Sequence, residues 1–248
     1  MKTPVIIAAH NEAAMIGHAL DKLDAKHVEP YVMANGCEDE TADVARSYGA
    51  LVYETHEAGK LPAIQNILVA LGDRALDPLL YLDADSYPVF TNRWHRRMLS
   101  ALIHEVPSAV SGPIVLDTFG ATGLVYDSKY YLDNLRARHE GSVRFRGANM
   151  ATFLQREPVL KRILELPHIW PGEDCAMEIA IKSEGGSSRQ VIHPGAAVVT
   201  SARYISPIGD LVMAGREETR KKSLKGYRER AADGSIPLGK YLKKRARQ

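Results

Sequence analysis

Two aspartates flank one alanine at Asp83-Ala84-Asp85, directly after the apolar run Leu79-Leu80-Tyr81-Leu82. The run is short and apolar and ends in turn residues, which predicts a buried strand. Carboxylates at a strand's C-terminal end stand at the sheet edge where open α/β sheets take ligands. Two like charges this close repel each other unless a cation lies between them. Hard oxygen donors favour Mg²⁺ or Mn²⁺, and such an ion usually also holds substrate phosphates. The tripeptide points to a metal-bridged diphosphate; the plainer alternative is an acidic turn capping the next helix.

Five more polar clusters fall in loops beside strands. In Ala9-His10-Asn11-Glu12 a helix start offers N–H groups to an anion and His10 a flat ring to a nucleobase, or Asn11 simply caps the helix. In Ala34-Asn35-Gly36-Cys37-Glu38-Asp39, Asn35 carries a donor and an acceptor suited to a base edge, or the segment is a turn before a helix cap. Gly59-Lys60, with Asn66 in the following helix, supplies a point charge for a phosphate; a solvated lysine is the alternative. Arg146-Gly147-Ala148-Asn149-Met150 lets backbone and amide groups meet a polar ligand closely, or marks a bulge. Trp170-Pro171-Gly172-Glu173-Asp174 sets two acids in a helix's first turn, where the dipole stabilises them. An acid there is also a candidate general base toward a hydroxyl.

These loops need elements to hold them. Val5–Ala9, Tyr31–Ala34, Ala50–Glu54 and Leu79–Leu82 read as strands. Between them lie helical patterns: one from Asn11 with Met15, Ile16, Ala19, Leu20 and Leu23 on one face, one capped by Asp39 or Thr41 and closed by Gly49, and one from Pro62 to Leu76. The alternation predicts a largely parallel sheet covered on both faces. The second half is less regular: helices at Trp94–Ile103, Leu124–Arg138 and Asp174–Ser183, strands at Ala109–Leu116 and Ala148–Leu154. One domain over 1–205 with a C-terminal helical basic extension over 206–248 is the simplest division.

At 248 residues the chain has room for one large α/β domain. Cys37 and Cys175 alone make neither a disulfide framework nor a zinc site, and the N-terminal apolar run breaks at His10, too early for a signal peptide. The reading is a cytoplasmic protein. Its net charge of +2 hides an asymmetry. Residues 216–248 carry twelve Lys/Arg against four Asp/Glu, a surplus of eight, which leaves −6 on the rest. A basic tail on an acidic body suits an anionic membrane or a polyanion, which would place the protein peripherally on the membrane's inner face; a solvated helix is the alternative.

Taken together and in this order, the motifs resemble the family 2 glycosyltransferases of the GT-A fold. The resemblance rests on Ile6-Ile7-Ala8-Ala9-His10-Asn11-Glu12, the turn from Asn35 to Thr41, Gly59-Lys60 with Asn66, Leu82-Asp83-Ala84-Asp85-Ser86, the strand from Arg146 to Ala151, and Pro171-Gly172-Glu173-Asp174. It covers about residues 3–200. It implies a Rossmann-like, mostly parallel central sheet with helices on both faces. It also implies transfer of a sugar from a nucleotide-diphospho-sugar to a hydroxyl acceptor by single displacement with inversion. Asp85 would bind Mn²⁺ or Mg²⁺, with Asp83 on the ion or the ribose. Ala8, Ala9, His10, Glu12, Asn35, Lys60, Asp83 and Ala84 would line the donor nucleotide, and Gly147, Asn149 and Trp170 the sugar and acceptor. Asp174 would be the catalytic base, with Glu173 beside it.

Some positions depart from the pattern. Ala34-Asn35 stands where many relatives carry two acids, which leaves the donor base open. No Gln-x-x-Arg-Trp stretch follows residue 200, unlike the processive synthases. His193, before Pro194, falls where some GT-A enzymes place a third metal ligand, with a turn histidine as the alternative. Arg203 is a candidate phosphate contact, with a plain surface charge as the alternative. Two other functions compete. A sugar-phosphate nucleotidyltransferase shares the sheet and metal carboxylates but opens on a glycine- and arginine-containing loop, absent from Ala8–Ala14. A non-catalytic nucleotide-sugar-binding protein would not need both Asp85 and Asp174.

Overall fold

A computed structural model describes residues 2–56, 59–72, 78–103, 106–117, 149–153, 158–165, 177, 180–181 and 184–201. The expected helix Leu124–Arg138, Arg146-Gly147, Trp170 to Asp174, Arg203 and the basic extension lie outside these residues.

The first half is a βα alternation: β1 (Thr3–Ala9), α1 (Ala13–Asp21), β2 (Val28–Asn35), α2 (Thr41–Ser47), β3 (Leu51–Thr55), α3 (Lys60–Leu71) and β4 (Leu79–Asp83). Then come β5 (Ser86–Pro88), α4 (Thr91–Leu99), β6 (Ser108–Ser111), β7 (Ile114–Leu116), β8 (Asn149–Phe153), α5 (Pro158–Leu164), β9 (Ser187–Gln190), a 3₁₀ turn (Pro194–Ala196) and β10 (Val198–Thr200). Seven strands form one sheet in the order β3-β2-β1-β4-β8-β6-β9, and β5-β10-β7 form a second. The first four strands run parallel; β8 is antiparallel to β4 and β6; β6 and β9 are parallel.

The parallel strands are apolar on both faces because both are covered. Ile6, Tyr31, Met33, Leu79 and Tyr81 pack with Ile64, Ile67 and Leu68 of α3 and Val159 and Ile163 of α5. Val5, Ile7, Val32, Leu80 and Leu82 face the other way, onto Ile16 and Leu20 of α1, Ala45 of α2 and Trp94 and Met98 of α4. Burying each large aliphatic contributes about 1.5–3 kcal/mol. Pro62 falls in the first turn of α3, where its missing N–H costs no helical hydrogen bond. Among the described residues no helix is long and apolar enough to cross a membrane.

The expected strand Ala109–Leu116 is two strands in two sheets. After Ser111 the chain leaves the main sheet through Gly112-Pro113 and enters the second at Ile114. Periodicity misses this because both halves are apolar. The cause is a polar crossing point. The Asn149 amide donates to the Pro113 and Ala196 carbonyls at 2.9 and 2.8 Å and accepts from the Trp94 indole N–H at 2.9 Å. A Cβ on Gly112 would stand 2.3 Å from Asn149 Nδ2, so only glycine lets the amide pass.

Asn149 is fully buried, and its loss strands the Trp94 indole N–H and the Ala196 carbonyl, while the Pro113 carbonyl keeps the Val198 N–H at 3.0 Å. Each unmet buried group costs about 1–3 kcal/mol, so Asn149→Ala should lose at least about 2 kcal/mol of stability in chemical denaturation. A loss under about 1 kcal/mol would show that this crossing is not held by the amide.

Candidate active site

The C-terminal ends of β2, β1 and β4 lie side by side: Ala9 pairs with Ala34, and Ala8 with both Met33 and Asp83. The candidate residues therefore converge on one edge because three parallel strands end together.

The loops after β1 and β2 are laced to each other. His10 Nδ1 bonds the Asn35 carbonyl at 2.8 Å, Asn11 Oδ1 accepts from Glu38 N at 2.8 Å, and Thr41 Oγ1 accepts from Glu12 N at 2.8 Å. Asp39 Oδ2 accepts from Ala13 N at 3.1 Å, and Cys37 Sγ lies 3.5 Å from the Ala9 carbonyl. A carbonyl only accepts, so His10 carries its proton on Nδ1, and its Nε2 holds a lone pair when the ring is neutral.

This lacing corrects two expectations. Asn11 does not cap α1; it sits at φ 53° and reaches the next loop. The helix start is served in trans by Asp39 and Thr41, so the Ala13 N–H is already taken and is not open to an anion. Thr41 does not cap α2, which begins after Glu40, but Asp39 Oδ1 accepts from Thr41 N, the first helical amide, at 3.0 Å, so Asp39 serves the starts of both helices. The Asp39 carboxyl is held below its ordinary value. Desolvation pushes it up, but hydrogen bonds from the Thr41 hydroxyl and from the Ala13 and Thr41 amides outweigh that.

A depressed carboxyl stabilises the fold above its unfolded pKa and ceases to as pH falls through the folded one. Asp39→Ala should therefore cost about 1 kcal/mol at neutral pH, as lost caps do. The deficit should vanish in strong acid; a pH-independent deficit in urea titrations would refute the role of the charge.

Asn35 is 2% exposed, and its Nδ2 donates to the Gly59 carbonyl at 3.0 Å. Its amide therefore ties β2 to the start of α3, where Gly59 at φ 123° makes a turn that L side chains rarely adopt. That fixes Lys60, whose ammonium pairs with Asp83 Oδ1; both side chains are partly exposed. Ala84 turns into the core and leaves its two aspartate neighbours at the edge.

Asp85 belongs to the junction of the two sheets. Its Oδ1 lies 3.5 Å from Ser86 Oγ and from Thr200 Oγ1, and its carbonyl accepts from Ser201 N at 3.2 Å. Ser86 Oγ donates to Thr200 Oγ1 at 2.8 Å. Sequence reasoning missed Ser86, Thr200 and Ser201; the only signal is that the run Ala196–Val199 ends in two hydroxyl residues. Carboxylates and hydroxyls are the hard oxygen donors that fit Mg²⁺ or Mn²⁺.

Two expected residues stand elsewhere. Asn149 is buried, with its amide oxygen and nitrogen bonded as above, so its amide holds the frame. His193 Nδ1 accepts from Gly195 N at 2.9 Å. That leaves its proton on Nε2, so the neutral ring in this arrangement has no lone pair for a metal. His193 also precedes the end of β10 where Val198 pairs with Pro88, whereas Asp85 adjoins the other end, where Thr200 pairs with Ser86. Glu12 is buried where its chain enters α1.

No protein-family model and no curated protein sequence matches the chain. Solved structures do match. The mannosyltransferase PcManGT from Pyrobaculum calidifontis, in complex with GDP-Man and Mn²⁺, superposes with a TM-score of 0.57 at 18% identity over 84% of this chain. The chain has the GT-A fold. Glucosyl-3-phosphoglycerate synthase from Mycobacterium tuberculosis, in complex with Mn²⁺, UDP and glucosyl-3-phosphoglycerate, gives 0.56 at 18% identity over 95% of this chain and 81% of its own. The same synthase with Mn²⁺, UDP-Glc and glycerol 3-phosphate gives 0.56 at 19%. This GT-A chain spans 58% of the mannosyltransferase's length.

Proposed function

We propose that the chain is a metal-dependent glycosyltransferase that moves a sugar from a nucleotide-diphospho-sugar to a hydroxyl acceptor with inversion. The observation that carries this reading is the β4 edge. Asp83 and Asp85 flank a core-facing alanine at the C-terminal end of a parallel sheet, with Lys60 on one side and the Ser86–Thr200 hydroxyls on the other. The GT-A fold of solved transferases crystallised with Mn²⁺ and nucleotide sugars supports it. The nucleotidyltransferase alternative lacks its glycine- and arginine-containing loop, and here that loop is laced to its neighbour.

In this reading the laced loops form the floor for the nucleoside, with His10 as an exposed ring beside it. Asp85 with Asp83 would hold Mn²⁺ or Mg²⁺, which would supply positive charge for a leaving diphosphate. Lys60 gives the same edge a second cation. Asp174 takes the proton from the acceptor hydroxyl as the new bond forms at the anomeric carbon, with Glu173 in support.

A thermal-shift screen of nucleoside diphosphates and nucleotide sugars, with and without Mn²⁺, tests the reading and ranks the bases. A ligand at 100-fold excess over its Kd stabilises by about 2.7 kcal/mol, a shift of several degrees. No Mn²⁺-dependent shift with any nucleotide would refute it. Chemistry is then checked by product formed from a labelled donor, which a non-catalytic binder would not give.

A further inference from the structure

The foot of the sheet, opposite the β4 edge, holds a second group of ligating side chains. Asp24 and His27 lie between α1 and β2, where the His27 carbonyl accepts from Thr3 N at 2.9 Å, and His95 lies on α4. His27 Nδ1 is 2.8 Å from Asp24 Oδ2, and His95 Nδ1 is 4.0 Å from the same oxygen. All three ligand atoms lie within 4.8 Å of one another, and among the described residues no other three His, Cys, Asp or Glu converge so. Independently, His95 is 5% exposed and its buried Nδ1 has no hydrogen-bond partner. Buried polar atoms are normally satisfied, so this nitrogen asks for a ligand.

We propose that Asp24, His27 and His95 bind one Zn²⁺ ion through Asp24 Oδ2, His27 Nδ1 and His95 Nδ1, with water completing the shell. Two imidazoles and a carboxylate are donors for Zn²⁺, and differ from the all-oxygen set at Asp83 and Asp85. Ligands bound tetrahedrally at 2.0–2.1 Å stand roughly 3.3 Å apart, a spacing that the separations of 2.8 and 4.0 Å bracket. The two rings are stacked, with centroids 4.9 Å apart and 17° between planes, so a shared ion turns one of them. His27, with half its side chain exposed, is the one able to turn. Burial, the largest influence on His95, holds its imidazole below the ordinary value against the pull of Asp24. The ion would join the α1–β2 turn to α4 at the end of the sheet away from the chemistry, as a structural site.

The test is calorimetry and thermal melting of metal-free full-length protein with Zn²⁺. The variants are Asp85→Ala, His27→Ala and His95→Gln. Wild type and Asp85→Ala should share one Zn²⁺ equivalent that raises the melting temperature. His27→Ala and His95→Gln should weaken that equivalent at least ten-fold and lose the shift. His27 is exposed, so its variant keeps the fold and the outcome stays readable if His95→Gln does not fold. Wild-type Zn²⁺ affinity and stoichiometry in His27→Ala, or no Zn²⁺ binding beyond what Asp85→Ala removes, would overturn the proposal.

Discussion

Asp85→Ala is expected to abolish Mn²⁺-dependent binding of a nucleoside diphosphate while leaving the fold intact. The side chain stands 3.5 Å from each of two hydroxyls and lies outside both apolar clusters. Its carbonyl, which holds Ser201 N, survives in alanine. Folding stability should therefore move by no more than about 1 kcal/mol, as for a surface substitution. Changing groups that merely support a metal ligand typically costs 10–100-fold in affinity, so removal of the ligand itself should exceed about 100-fold. Calorimetry with Mn²⁺ and a nucleoside diphosphate measures this. Equal Mn²⁺-dependent affinity in the two proteins would remove Asp85 from the metal site. Weak binding that persists without Mn²⁺ is expected of the laced loops.

Asp174→Asn is expected to lower turnover by about 10²–10⁴-fold, the usual contribution of a general base. Asparagine nearly preserves shape but cannot accept the acceptor's proton effectively. Donor affinity should change little, because the lost interaction belongs to the transition state. Glu173→Gln should be milder if Glu173 only supports the site. Single-turnover rates with a labelled donor separate the two. Near-normal turnover in Asp174→Asn, or a product with retained anomeric configuration, would require another mechanism.

What could be read from the sequence divides along the physics. The βα alternation was legible because β1, β2 and β4 are buried on both faces and so read as unbroken apolar runs. The Asp83-Ala84-Asp85 edge was legible because charges directly after such a run must sit at a strand end. What escaped is tertiary. Asn11, Asp39 and Thr41 look like local helix caps, since their side chains commonly serve the backbone close by. Here they bond the neighbouring loop 26 to 29 residues away, Asp39 while also holding Thr41 N beside it, a partnership that only the parallel pairing of β1 with β2 creates. Asn149 looked like a ligand group because an amide beside glycine suits one. Its partners, Trp94, Pro113 and Ala196, are distant in sequence, and no local pattern announces them. The break at Gly112-Pro113 was hidden for the same reason, since its cause is the Asn149 amide. His95 carries no signal in sequence; its meaning depends on Asp24 and His27 across the fold.

The central claim is that a divalent ion on Asp85 anchors a nucleoside diphosphate whose base lies against the first two loops. A crystal structure with Mn²⁺ and a nucleoside diphosphate tests it most directly. Expected is Mn²⁺ bonded to the Asp85 carboxylate and to the diphosphate, with the base between residues 10–12 and 35–39. An ion away from Asp85, or a base more than a side-chain length from both loops, would contradict it.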